Sequence, residues 1–345
     1  MKKRHLLFIV VLIILIGVAF SYFKNISYEK GFEAEILVKN LDTPWSIDFL
    51  PNENMIFTER GGKISVFDGK ETKVIAEINV NEESESGLLG IAVDPDFNIN
   101  SFIYVYYTYE NGNKVSRFIL KNSMLENESV LLDNIPNAIF HDGGRIKFGL
   151  DKKLYITTGD ATIPSSARDI NSLAGKILRM NPDGSVPEDN SFKNYVYSYG
   201  HRNPQGLAWH PESKELYSSE HGPTRNDEIN IIKKGVNYGW PEECAVQGNY
   251  ESPIRCYTEF TLAPSGIAFY GGDLYIAGLR GAQLRRIILN DDFKSVKYEE
   301  ELFNDFGRIR DAVSHNGYIY IATSNKDGRG IPKFEDDKII RIRKI

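Results

Sequence analysis

Cysteine is almost absent from this 345-residue chain, helical periodicity is hard to find beyond its first apolar run, and positive charge is not in overall excess. Each scarcity excludes something. Two cysteines cannot build a structural zinc site. The 41 Lys and Arg residues stand against 47 Asp and Glu residues, with a pI near 5.7, so the chain has no basic footprint and no nucleic-acid partner is expected. No strand-linked G-x-G-x-x-G loop is present to cradle a nicotinamide dinucleotide. No linker, low-complexity tract or charge block divides the chain, and an all-β single domain of this length is ordinary.

What is present is a repeat. Six times a small or polar residue leads an alternating strand, a turn rich in Pro, Asp, Asn or Gly follows, and a β-branched, Tyr-rich strand comes next. The copies begin at Ser46, Gly90, Arg145, Gly206, Gly266 and Asp311. Their starts lie roughly 45 to 60 residues apart, the period of a propeller blade. The pattern predicts an all-β fold, a six-bladed β-propeller over residues 32–345. The segment Phe32 to Asn40 is expected to complete the last blade beside Lys338 to Ile345, which removes an exposed edge. Longer insertions at Ala161–Asn171, Asn181–Tyr199 and Trp240–Phe260 are expected as loops that together wall a pocket over one face.

Ahead of the propeller, Lys2, Lys3 and Arg4 precede an apolar run from Leu6 to about Phe23, which reads as one membrane-targeting helix. Residues 1–24 are either a cleaved signal peptide or a retained signal anchor, since the run is just long enough to span and no clear A-x-A site follows it. Either way the propeller is expected outside the cytoplasm, held to the membrane only if the segment is uncleaved. In an exported chain Cys244 and Cys256, which flank the loop CAVQGNYESPIRC, are candidates for a disulfide.

A propeller gathers loops from every blade around one channel mouth, so polar residues in those loops are the candidates for chemistry. The densest group is Gly200-His-Arg-Asn-Pro-Gln-Gly-Leu, followed by Ser219-Glu-His-Gly-Pro, Asp227-Glu-Ile-Asn and Asn237-Tyr-Gly-Trp-Pro. Arg202 and Asn203 offer a guanidinium fork beside an amide, suited to a polyoxygenated ligand. Carbonyls of the Gly222-Pro223 turn suit a hard cation. His141, in Phe140-His-Asp-Gly-Gly-Arg, stands just before a strand and is the candidate general base; the competing reading is a histidine that only bonds a neighbouring blade. Arg308 and Arg310 alternate on a strand and so share a face, where two guanidinium groups repel unless an anion compensates. With Arg202 and Arg280 on other blades they point to an anion pocket.

Through these motifs, together with Leu41-Asp-Thr-Pro-Trp, Gly87-Leu-Leu-Gly-Ile-Ala and Ala263-Pro-Ser-Gly, the chain resembles the soluble quinoprotein glucose dehydrogenase and aldose sugar dehydrogenase family, the glucose/sorbosone dehydrogenases. The resemblance implies pyrroloquinoline quinone (PQQ) with Ca²⁺, oxidation of an aldose sugar at its anomeric carbon to the lactone, and transfer of electrons to an external acceptor. By position it makes His141 the base and sugar contact, and sets Arg202 and Asn203 beside the quinone oxygens. His221, Thr261, Arg280, Arg308 and Arg310 become cofactor residues, and the Gly222 and Pro223 carbonyls become calcium ligands. A second Ca²⁺ on Glu228 and the Tyr238 carbonyl follows from the aldose dehydrogenase branch. Arg280 replaces a Lys, His221 a Gln, and Glu85 a Gln that can touch sugar, so the preferred sugar does not carry over. Monomer and homodimer are both left open. The alternatives are a metal-dependent propeller lactonase, which wants several carboxylates converging on one cation, and a non-catalytic extracellular binding propeller.

Overall fold

The computed structural model describes residues 26–245 and 249–345. The apolar run Leu6 to Phe23 lies outside them. Six antiparallel sheets account for the strands, and each predicted repeat falls at the inner edge of one sheet. Blade 1 runs from the axis outward through Pro44–Phe49, Met55–Glu59, Lys63–Phe67 and Thr72–Glu77, and blade 2 through Leu88–Val93, Phe102–Tyr109, Gly112–Lys121 and Met124–Ile135. Blade 3 comprises Ile146–Phe148, Leu154–Thr158, Lys176–Met180 and Val196–Tyr199; blade 4, Pro204–Trp209, Leu216–Glu220, Asp227–Ile232 and Arg255–Tyr257; blade 5, Pro264–Tyr270, Asp273–Gly278, Gln283–Leu289 and Val296–Leu302.

Blade 6 joins the two ends of the described chain. After Ile309–His315, Tyr318–Thr323 and Ile339–Lys344 comes Phe32–Val38, paired antiparallel with Ala34 opposite Ile342 and Ile36 opposite Ile340, as the sequence predicts. Ile26–Glu29 adds a fifth strand outside it, which the sequence reading does not include. Among the described residues helix is confined to Phe97–Asn100 and short 3-10 turns, and none of it is long and apolar enough to cross a membrane.

The hydrophobic interior is divided rather than central. Six clusters of buried apolar side chains each fill one interface between neighbouring blades: Ile56, Ile64, Val105 and Ile103 between blades 1 and 2, for example, and Tyr217, Ile229, Ile276 and Ile287 between blades 4 and 5. Strands near the axis are therefore covered on both faces. Met55–Glu59, Leu154–Thr158 and Leu216–Glu220 are buried throughout, whereas Met124–Ile135 at the rim is largely exposed.

The inner strands explain the leading residue of the repeat. Where they converge, a β-carbon added at Gly90 would lie 2.3 Å from the Gly144 carbonyl oxygen, and one at Gly206 would lie 2.3 Å from that of Ser265. Gly266 and Ser46 are the other small residues of this layer, and a change of register marks the same place in five of the six inner strands. The two large members compensate each other. Arg145 of blade 3 and Asp311 of blade 6 form a buried ion pair of 3.0 Å, and the guanidinium also bonds Ser46 Oγ and the Gln205 carbonyl and lies over the Trp45 ring.

The insertions depart from expectation. Asn181–Tyr199 and Ala161–Asn171 contribute no lining residue to the main cavity of the mouth; the former ends in the outermost strand of blade 3 and supplies Asp189 and Asn190 to Arg179. Trp240–Phe260 contains the outermost strand of blade 4, and Cys244 and Cys256 are disulfide-bonded there with α-carbons 5.9 Å apart.

Gly206→Ala is expected to destabilise the protein by about 1–3 kcal/mol, because the new methyl group meets backbone that cannot rotate away. Urea unfolding of the variant beside wild type measures it, and an unchanged midpoint would refute the packing argument.

Candidate active site

One face of the ring carries the loops that lead into the inner strands and those that join each second strand to the third. Glu85, His141, Arg202, Thr261 and Arg308 sit in loops of the first kind; Gly222, Pro223, Arg280 and Arg329 in loops of the second. All of them line one cavity of about 520 Å³. Residues separated by more than 200 positions thus share a wall, because ring closure brings blades 2 to 6 to one mouth.

His141 is held on three sides. Its Nδ1 lies 2.7 Å from Asp160 Oδ1, its backbone N–H donates to Glu85 Oε2 at 3.1 Å, and its carbonyl presses against Gly159, where a β-carbon would come within 1.8 Å. Its φ of 67° is left-handed, a conformation that a histidine keeps only when its surroundings impose it. Asp160 is fully buried and also accepts from Trp240 Nε1 at 2.8 Å and the Thr162 amide at 2.8 Å. With Asp160 accepting at Nδ1, the imidazole presents Nε2 as its free acceptor. Sequence reasoning does not single out Asp160; the only signal is an Asp that follows the strand end Thr157-Thr-Gly.

Arginines dominate the rest. Arg202 donates from Nη1 to the carbonyls of His221 (3.1 Å) and Gly222 (2.7 Å), stands 5.2 Å over the Trp240 ring, and has its backbone N–H on Glu220. Glu220 is itself fixed by buried His201, whose Nδ1 lies 2.8 Å away. Arg308 bonds Asp327 through Nε and Nη2 at 3.0 and 2.7 Å. Arg310 does not line the cavity: it is buried beneath, 3.8 Å from the same carboxylate, and bonds Gln205 Oε1 at 2.8 Å. One aspartate for two arginines leaves positive charge over; burial pulls Arg310 down to about 9, with Asp327 opposing and Arg308 adding to the fall. Arg280 is exposed and has no ion pair or hydrogen bond among the described residues. Arg202 Nε, His221 Nε2 and Arg310 Nε are buried nitrogens with no partner.

Asn203 is buried under the cavity, with Oδ1 on the Gly143 amide at 3.0 Å and Nδ2 3.3 Å from Glu85. Burial pushes His221 down to about 3, helped by Arg310 and Arg202, so it is neutral near pH 7. Burial opposes charge on Glu85, yet Arg329 and the His141 N–H hold its carboxyl below the usual range. Both of its oxygens are occupied, Oε1 by Arg329 and Oε2 by the His141 amide and Asn203. Thr261 donates to the Thr224 carbonyl.

Glu228 and Tyr238 lie outside this cavity, in a smaller neighbouring recess of about 10 Å³ that Glu220, Arg202 and Pro223 also line. Burial, with Glu220 nearby, raises Glu228 to about 8; its oxygens accept from the Cys244 amide and Asn230. The Tyr238 ring stacks on His201. Among the described residues no three His, Cys, Asp or Glu side chains are grouped to hold a metal. Of the remaining histidines, His210 is buried among Tyr217, Phe269 and Phe293, and His315 stacks on Phe49 and meets Glu53.

With this geometry in hand, the sequence profile described as Glucose / Sorbosone dehydrogenase matches residues 41–333. The chain belongs to the glucose/sorbosone dehydrogenase family. A solved structure described as a putative oxidoreductase (glucose dehydrogenase) from Thermus thermophilus is 40% identical, with a TM-score of 0.88 over 90% of this chain and 100% of that one. The PQQ-bound form of aldose sugar dehydrogenase from Streptomyces coelicolor is 35% identical, with a TM-score of 0.86 over 92% and 99%. The aldose sugar dehydrogenase YliI of Escherichia coli is 30% identical over 85% of this chain and 90% of its own length.

Asp142, next to His141, gives a test of the site's electrostatics. Burial raises its carboxyl to about 6, against hydrogen bonds from Asn113 and Ser86. A raised carboxyl favours the folded state while protonated, so its contribution is present below the unfolded value near 3.8 and is lost as pH rises through about 6. The stability difference between wild type and Asp142→Asn should therefore shift by up to about 3 kcal/mol against wild type from pH 3.5 to pH 7. Thermal melts of both proteins across that range measure it; parallel curves would contradict it.

Proposed function

We propose that this family member oxidises the anomeric carbon of aldose sugars to lactones, with PQQ and Ca²⁺ in the main cavity and electrons passed to an external acceptor. The observation that carries the reading is the convergence of Arg202, Arg280 and Arg308 on the cavity whose wall holds the His141–Asp160 pair. A flat molecule with three carboxylates and two quinone oxygens suits that donor set: one guanidinium without a partner, two over-supplied with positive charge, and buried nitrogens left unpaired. The Gly222 and Pro223 carbonyls are hard oxygen donors for Ca²⁺, though two are too few for its usual six to eight and the rest must come from cofactor and water. Bound there, PQQ supplies the hydride acceptor and Ca²⁺ the Lewis acidity that polarises it.

The chain's own residues account for the remaining demands. His141 Nε2 takes the proton of the anomeric hydroxyl while the carbon gives up its hydride. Asp160, buried and bonded to His141 Nδ1, the Thr162 amide and Trp240 Nε1, holds the imidazole in the required tautomer and stabilises the imidazolium that forms. Arg202, fixed through its amide by Glu220, is the cation nearest the Gly222 carbonyl and would stabilise developing negative charge beside it. Glu228 and the Tyr238 carbonyl are the candidate ligands of a second Ca²⁺, since a raised carboxyl beside a second carboxylate favours either a proton or a cation. An extracytoplasmic location is supported by the basic and apolar N-terminal sequence and by the Cys244–Cys256 disulfide.

His141→Ala should leave PQQ and Ca²⁺ binding intact and lower kcat by about 10²–10⁴, the range for a lost general base. Steady-state kinetics on the reconstituted variant, beside an absorbance titration with PQQ, separates the two; lost cofactor with normal turnover in the loaded fraction would make His141 a positioning residue. In wild type, chelation should abolish sugar-dependent dye reduction and recovery should need both Ca²⁺ and PQQ. Full turnover in buffer free of both would overturn the assignment.

A further inference from the structure

Arg329 has no part in the proposed function, yet its guanidinium reaches across the cavity mouth from blade 6 to the loop before blade 2. Nη1 meets Glu85 Oε1 at 2.8 Å, Nη2 donates to Ser84 Oγ at 3.0 Å, and the group stands 5.2 Å over the Phe140 ring. We propose that Arg329 is a positioning residue for His141: it locks the Glu85 carboxylate that holds the His141 backbone, and so sets turnover on the sugar. This rests on the proposed function.

The physical case lies in how few freedoms remain at His141. Its ring is fixed by Asp160 and its carbonyl by Gly159, neither of which touches Arg329. The remaining restraint is the bond from its N–H to Glu85 Oε2, and that oxygen also receives Asn203 Nδ2. Glu85 can serve both only while its other oxygen is held, and Arg329 holds it. An exposed ion pair would be worth little, but here one member is 13% exposed and its carboxylate is shared among blades 2, 3, 4 and 6. The fork is braced from behind. The Arg329 amide donates to Asp327 Oδ1 at 2.9 Å, and Asp327 Oδ2 is the partner of Arg308. The short turn from Asp327 to Arg329 thus joins the arginine wall of the cavity to the base. Removing Arg329 frees Glu85 to rotate, and small misplacements of a base relative to its substrate are costly.

Arg329→Met should lower kcat of the PQQ- and Ca²⁺-loaded enzyme by about 10- to 100-fold while KM and the PQQ titration change less than about threefold. Arg329→Lys should recover part of the loss. Glu85→Gln combined with Arg329→Met should be no slower than Glu85→Gln alone, since the two act as one unit. In the ¹⁵N-labelled apoprotein the His141 amide resonance should move in Arg329→Met and in Glu85→Gln alike. Wild-type kcat in Arg329→Met, losses that add in the double variant, or full recovery with excess PQQ would overturn the proposal. If wild type itself neither bound PQQ nor oxidised sugars, the proposed function would fall, and an unmoved His141 amide would by itself refute the link from Arg329 to His141.

Discussion

Six inner strands must approach one axis, and the space left there governs the rest of the molecule. Where they meet, two side chains of opposite charge occupy the layer and glycine or serine fills the other places. The Arg145–Asp311 pair joins blades that face each other across the ring, and its guanidinium takes further bonds from blades 1 and 4. A lone charge at this depth would be expensive; a pair that also bonds Ser46 Oγ and the Gln205 carbonyl is tolerated and ties four blades together at the axis. Because the strands of each blade alternate in direction, the loops that enter the inner strands and those that join second strands to third fall on one face, and the functional loops are of these two kinds.

At that mouth, charge is distributed unevenly. Carboxylates near the cavity are each committed: Asp160 to His141 and Trp240, Glu85 to Arg329 and the His141 amide, Asp327 to Arg308, Asp227 to the amides of Gly222, Leu262 and Ala263. Guanidinium groups are left in surplus. An anionic ligand entering such a site meets donors already oriented, with little reorganisation required.

The architecture is legible in the sequence because the repeat is imposed by the axis and survives in each copy, down to closure of blade 6 by Phe32–Val38. His141, Arg202, Arg280 and Arg308 can be read because they lie in distinctive loop motifs that ring closure superposes. Asp160, Asp327 and Arg329 cannot: each stands in an ordinary turn sequence, Thr-Gly-Asp or Asp-Gly-Arg, and meets its partner only through the fold, His141 or Arg308 from the next loop of the same blade or Glu85 from across the ring. Arg310 illustrates the limit of strand alternation: it shares the Asp327 carboxylate with Arg308, yet it lies buried beneath the cavity while Arg308 lines it. Loop length misleads for a similar reason. A long insertion suggests a wall of the pocket, but Asn181–Tyr199 is spent on its own blade.

Blade 6 also dictates an order of events. Phe32 lies opposite Lys344, so the hairpin of Ile26–Glu29 and Phe32–Val38 finds the rest of its blade only after Ile339–Lys344 has been synthesised. Until then the ring is an open arc with two bare edges, and contacts of such long range form slowly. A nascent chain of this kind can assemble its interior blades in turn, but its final fastening is a single late step, and a protein delivered through a membrane would complete that step on the far side.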